Sequence, residues 1–242
     1  MYHTENVCVG ILAALRTELQ NSSDEVHRNG IQKFFKEEVP CYGIKSSRVS
    51  ILAKKYFKLI QPASKDIVFK YCEALWQSGF QEEGLIACQW SACMHKQFSE
   101  SDLILFEKWI ERYISNWATC DTFCNHTVGG LLLKYPQVLP ALQTWAVAEG
   151  RWLRRAAAVS LIVPARKGIY WQDIAIISNL QLNDRDDMIQ KGYGWLLKVA
   201  SQSHEQEVFD FVMAHRTFMP RTALRYAIEK MTSERKALAM KK

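Results

Sequence analysis

Apolar side chains recur at every third or fourth position along nearly the whole chain, with charged residues on the intervening positions. This is the period of amphipathic helices. Over 6–20 it is carried by Val7, Ile11, Leu15 and Leu19. Ser46 or Ser47 can cap a helix that turns Val49, Leu52, Ala53 and Tyr56 inward and Arg48, Lys54, Lys55 and Lys58 largely outward. Residues 65–78 place Ile67, Tyr71, Ala74 and Leu75 on one stripe, and Ser101-Asp102 opens a helix bearing Leu103, Phe106, Trp109, Ile110 and Tyr113. The same period predicts helices at about 119–134, 137–148, 151–163, 171–180, 185–201, 204–214 and 220–231. No alternation persists over six residues, so no strand is predicted. The apolar runs Val128–Leu133 and Ile174–Leu180 fall inside helical stretches.

Breaks fall at Asn21-Ser22-Ser23, Pro40 to Gly43, Gln61-Pro62, Ser78-Gly79, Tyr135-Pro136, Glu149-Gly150, Pro164 to Gly168 and Met219-Pro220. Most are 15–35 residues apart, the spacing of helix pairs joined by short turns. No linker rich in Gly, Ser or Pro interrupts them. The expectation is therefore one continuous all-α domain over 1–242, an α-solenoid-like stack of helix pairs presenting a concave face.

Composition narrows the class. With 48% hydrophobic and 23% charged residues, the 242-residue chain has a core-forming composition, which excludes wholesale disorder. No apolar run approaches the ~20 residues that span a bilayer. The opening MYHTENVCVG has no basic segment or cleavage pattern, so a cytoplasmic protein is expected. Seven cysteines at irregular spacing read as buried or idle thiols in a reducing compartment.

The net charge of +6 is unevenly spread. Residues 71–125 hold 3 Lys/Arg against 8 Asp/Glu, whereas 31–70 hold 9 against 3. Residues 151–167 hold five basic residues and no acid, and from 215 onward the count is 8 against 2. Such segments are either solvated helix faces or parts of one anion-binding surface.

Three constellations could carry chemistry. In Trp117-Ala-Thr-Cys-Asp121, a helix that includes both residues puts an indole and a carboxylate on one face, a patch suited to a cation. If the helix begins near 119, Trp117 lies just before it and can still overhang that patch. The plain alternative is an acid in a first helical turn beside a core tryptophan. In Arg151-Trp-Leu-Arg154-Arg155, three arginines open a helix and repel both one another and the positive helix end. Either a bound phosphate or acids from a neighbouring helix would relieve that repulsion. In Gln190-Lys191-Gly-Tyr-Gly194-Trp195-Leu-Leu-Lys198, two cations flank an aromatic on one helical face. The glycines there cost about 1 kcal/mol each against Ala, and they admit either a ligand or a tightly packed helix.

Cys88, Cys93 and His95, like Cys120, Cys124 and His126, lack a standard zinc spacing. No phosphate loop or nucleophile motif is present. No metal or organic cofactor is expected.

Together, Trp117-x-x-x-Asp121, Trp152-Leu-Arg-Arg155 and Ile189-Gln-Lys-x-x-Gly-Trp195 resemble the AlkD-like DNA alkylation repair family, whose members are HEAT-repeat DNA glycosylases. The resemblance runs from Gly43-Ile44-Lys45 to Pro220-Arg221-Thr-Ala-Leu-Arg225. It implies a curved HEAT-like stack holding duplex DNA in a basic groove, and removal of N3- and N7-alkylated purines. It also implies Asp121 as the catalytic carboxylate, Trp117 and Trp195 flanking the sugar, and Arg155 on the DNA backbone. Further phosphate contacts, chosen by charge and segment, are Lys45, Arg48, Arg151, Arg154, Lys191, Arg221 and Arg225.

The chemistry is coherent. Glycoside hydrolysis ordinarily needs a second carboxyl to protonate the leaving group. An alkylated purine is already cationic, so one carboxylate suffices. Ser47, Ser50 and Phe34 depart from the family pattern, which often has Pro and Arg at the first two places and an aromatic hydroxyl at the third. A protein that binds damaged or unusual DNA without cutting it, and a protein scaffold, are the rival readings. A monomer is the expected state.

Overall fold

The computed structural model describes residues 2–61 and 63–241, with side chains from residue 10 onward. Pro62 of the expected Gln61-Pro62 break, and the side chains of Val7 and Cys8, lie outside the described residues. Among the described residues every regular element is helical and no strand occurs.

The chain clusters into two compact units whose segments interleave. Unit 1 comprises the residues up to Phe98 together with Arg112–Phe123. It holds α1 (Tyr2–Asn21), α2 (Glu25–Gln32), α3 (Ser46–Ile60), α4 (Lys65–Trp76) and α5 (Gln81–Cys93). It also takes the end of α6 (Asp102–Tyr113) and all of α7 (Trp117–Phe123). Here α1 packs on α3, α3 on α5, and α5 on both α4 and α7. Alternate helices thus contact in series, as in a stack of helix pairs. Leu15, Leu19, Leu52, Leu75, Ile86 and Trp90 are fully buried between them.

Unit 2 comprises Ser99–Glu111 and the chain from Cys124 onward. Its helices are most of α6, then α8 (Gly129–Lys134), α9 (Ala141–Ala146), α10 (Arg151–Val159), α11 (Ile162–Arg166) and α12 (Trp171–Leu180). These are followed by α13 (Asp187–Ala200), α14 (Glu205–His215), α15 (Arg221–Ala227) and α16 (Ser233–Met240). The series here is α10, α13, α15, flanked by α9, α11, α12 and α14. The buried Ala156-Ala157-Ala158 run lets α10 sit close to its neighbours.

The departures from the expected elements have physical causes. Helix α5 was not predicted because it has no polar stripe: Gln81 to Gly84, Ile86 to Cys88, Trp90 and Ser91 are all buried. A helix enclosed on most sides loses the amphipathic signature. Pro164, expected to break the chain, lies within the first turn of α11, where its missing N–H costs nothing. The stretch 119–134 is not one helix. Helix begins earlier, at Trp117, and the stretch runs as α7, a π-helical turn at Cys124–Val128, and α8. The short helices α2 and α16 carry too few buried positions to announce themselves.

Candidate functional site

The site in unit 1 is built on α7. Asn116 caps this helix: its Oδ1 accepts the Thr119 backbone N–H at 3.0 Å, and its carbonyl accepts the Cys120 N–H at 3.1 Å. The helix therefore begins at Trp117, so Trp117 and Asp121 share one face a turn apart, both half-buried. Trp117 is held from a second direction. Its Nε1 donates to the Phe34 carbonyl at 3.2 Å, and its ring stacks on Phe35 with centroids 5.5 Å apart. Phe34 itself is 74% exposed.

The first turn of α5 braces this arrangement through three consecutive polar side chains. Gln81 Oε1 accepts the Asn116 Nδ2–H at 2.8 Å. Glu82, buried, accepts the backbone N–H groups of Tyr42, Gly43 and Ile44 at 2.9–3.0 Å. Glu83 accepts the Tyr42 hydroxyl at 2.8 Å and pairs with Arg16 of α1 at 2.9 Å. Burial, reinforced by that bond to Glu83, pushes the Tyr42 phenol far above its ordinary range. Gly43 has φ +84°, and a Cβ there would lie 2.1 Å from the Asp24 carbonyl oxygen, so only glycine fits.

This pinned turn delivers Lys45 and Arg48 to the start of α3, where both are exposed. Arg48 is not idle: with Lys55 and Tyr56 it surrounds Glu18 of α1, at 3.1, 2.6 and 3.0 Å respectively. Sequence reasoning missed Gln81, Glu82, Glu83 and Asn116. The signal available was a run of acids after a turn, a helix-opening pattern, with an Asn just before Trp117.

In unit 2 the arginine cluster opens α10 as expected, and acids answer it. Arg151 bonds Asp186, and Arg154 bonds Asp184 at 2.7 Å and the carbonyls of Ala148 and Glu149. Arg155 is only 5% exposed. Its guanidinium donates to the Met188 carbonyl and lies along Gly192 of α13. Of the two ways to relieve the arginine repulsion, the structure uses acids for Arg151 and Arg154.

Lys191, Trp195 and Lys198 lie along α13, with Trp195 half-buried. Lys191 pairs with Asp187 at 3.1 Å and Lys198 with Glu229 at 3.0 Å. The two glycines differ. A Cβ on Gly194 would lie 2.8–3.0 Å from Tyr226 and Ala223 of α15, so this glycine serves helix packing, whereas Gly192 faces Arg155 and Ala158. Arg221 is exposed and reaches the Met240 carbonyl at 3.5 Å. Arg225 is exposed and makes no ion pair among the described residues.

Among the described residues no three His, Cys, Asp or Glu side chains converge as a metal site, and no helix is long and apolar enough to cross a membrane. Cys41, Cys72, Cys88, Cys120 and Cys124 are buried free thiols, and Cys93 is exposed.

A family model for the DNA alkylation repair enzymes matches residues 15–231. The solved structure of a predicted DNA alkylation repair enzyme from Enterococcus faecalis is 18% identical. It covers 88% of this chain and 98% of its own at a TM-score of 0.79. That likeness establishes a shared fold. A comparison with curated proteins finds no match.

Proposed function

The chain belongs to the DNA alkylation repair enzyme family, and from that premise we propose that it is a monofunctional DNA glycosylase acting on cationic N3- and N7-alkylated purines in duplex DNA, as a monomer and without metal or cofactor. The observation that carries this reading is the α7 face. Asp121 and Trp117 lie one turn apart, half-buried, with the indole fixed by Phe34 and Phe35.

In the proposed reaction the bond between C1′ and the purine nitrogen breaks, and its electron pair cancels the positive charge of the base. The sugar becomes oxocarbenium-like. The Asp121 carboxylate stabilises that charge and orients a water, which adds to C1′. The proton lost by the water passes to Asp121 or to solvent, leaving an abasic site. The electron-rich Trp117 face contributes to the same field. No acid need protonate the leaving base, so one carboxylate is enough for this step.

Trp195, Lys191, Lys198, Arg221 and Arg225 of unit 2, and Lys45 and Arg48 of unit 1, are assigned contacts to DNA. Arg151 and Arg154 join them once DNA phosphates compete with Asp186 and Asp184. Arg155, being buried, acts chiefly by fixing α10 against α13.

Matched duplexes carrying 7-methylguanine or an uncharged base such as hypoxanthine test this chemistry. Release of only the cationic base is expected. Equal release of the neutral base would require a proton donor and overturn the one-carboxylate mechanism.

A further inference from the structure

We infer that Asn116 and Gln81 are positioning residues for the α7 site, setting the orientation of Trp117 and Asp121 without touching substrate. The inference rests on the glycosylase reading above. Both side chains are buried, Asn116 3% and Gln81 7% exposed. A buried primary amide pair is costly unless its donors and acceptors are matched, so its geometry is specific.

Asn116 uses its two amide atoms for different ends. Oδ1 accepts the Thr119 N–H at 3.0 Å and the Thr119 hydroxyl at 3.2 Å, which starts the helix. Nδ2 donates to Gln81 Oε1 at 2.8 Å, which fixes the direction in which the helix starts. Gln81 is itself anchored, its backbone N–H bonding the Pro40 carbonyl at 2.8 Å. Its neighbour Glu82 clamps residues 42–44. Thr119 also packs at Gly84 of α5, where a Cβ would stand 3.2 Å from the Thr119 methyl.

The turn before α3 and the catalytic helix are therefore registered to one rigid helix start. Trp117 follows Asn116 directly, so a tilt of the first turn moves the indole and, one turn on, the carboxylate. A displacement of about 1 Å in such a group can cost about 100-fold in rate.

Capping and direction can be separated by substitution. Serine retains an N-cap oxygen but is too short to reach Gln81, so Asn116→Ser keeps the helix start and cuts the tie. Gln81→Leu cuts the same tie from the other side, and Gln81→Glu keeps an acceptor. The test combines single-turnover release of 7-methylguanine, duplex affinity, thermal unfolding, and the 19F resonance of Trp117 in fluorotryptophan-labelled protein, assigned with Trp117→Phe.

Asn116→Ser and Gln81→Leu should each slow release roughly 10–100-fold with duplex affinity changed less than two-fold, and each should shift the Trp117 resonance. Their double variant should be no slower than either alone, and Gln81→Glu should retain the wild-type rate. Wild-type rates in both single variants would overturn the inference, as would losses that track melting temperature with an unmoved Trp117 signal. If the wild type releases no base, the glycosylase reading itself fails. The Trp117 resonance then decides the positioning role alone: a shift in both variants upholds it and no shift removes it.

Discussion

Adding one methyl group to α13 at two positions, two residues apart, should have opposite consequences. Gly192→Ala and Gly194→Ala gain the same helix propensity, about 1 kcal/mol over glycine, so that contribution cancels between them. What differs is the space. At Gly192 the new Cβ would stand 3.6 Å from Arg155 Nη1, 3.7 Å from Arg155 Cγ and 3.9 Å from Ala158 Cβ, all ordinary contacts. At Gly194 it would stand 2.8 Å from Tyr226 Cβ, 2.9 Å from the Ala223 oxygen and 3.0 Å from Ala223 Cα. Those atoms belong to the body of α15 and cannot swing aside like the end of a flexible side chain. The helices must separate by several tenths of an ångström, and overpacking of this kind costs about 1–3 kcal/mol. Gly194→Ala should therefore be less stable than Gly192→Ala by about 1–3 kcal/mol, with Gly192→Ala at or above wild type. In thermal unfolding each kcal/mol is roughly 2–4 °C for a chain of this length. Equal midpoints for the two variants, or a higher one for Gly194→Ala, would refute the assignment of Gly194 to the α13–α15 contact.

Further outcomes follow from the charges. Glu82→Gln turns an acceptor into a donor facing one of three buried N–H groups; about 1–3 kcal/mol of stability should be lost, with faster amide exchange at 42–44 and unchanged exchange within α3. The Lys55 hydrogen bond, followed by that of Tyr56 and the nearby Arg48 charge, holds the Glu18 carboxyl below its ordinary value of 4.5. A depressed carboxyl contributes stability above its unfolded pKa and loses it as the pH falls through the folded one. Wild type and Glu18→Gln should accordingly differ in urea midpoint at neutral pH and converge in acid. Asp186→Asn retains the cap on the Met188 N–H but releases Arg151 from its carboxylate, so DNA binding should tighten and the salt slope steepen by up to about 0.9. An unchanged slope would remove Arg151 from the phosphate contacts.

The all-helical class, and most helices with one apolar stripe, were legible in the chain because their burial is one-sided. The Trp117–Asp121 pair was legible only on the condition that one helix include both residues: the expected helix began at about 119, and the Asn116 cap is what brings Trp117 inside it. What escaped was the structure that holds the pair. Helix α5 is enclosed on most sides, and its Gln81-Glu82-Glu83 turn makes contacts 35 to 67 residues distant in sequence, which no local pattern encodes. The arginines were legible as a cluster but not as individuals. Arg151 stands in solvent and Arg155 is buried, and only the position of α13 distinguishes them. The two glycines similarly announced a close approach without naming the partner, which for Gly194 is α15.

The decisive measurement is release of 7-methylguanine from duplex DNA by the wild type and by Asp121→Asn, with duplex binding measured on the same samples. Release by the wild type alone, with equal binding by both, is the predicted result. Release by Asp121→Asn at the wild-type rate would contradict a catalytic carboxylate on α7, and absence of release by both with binding intact would leave a protein that holds DNA without cutting it.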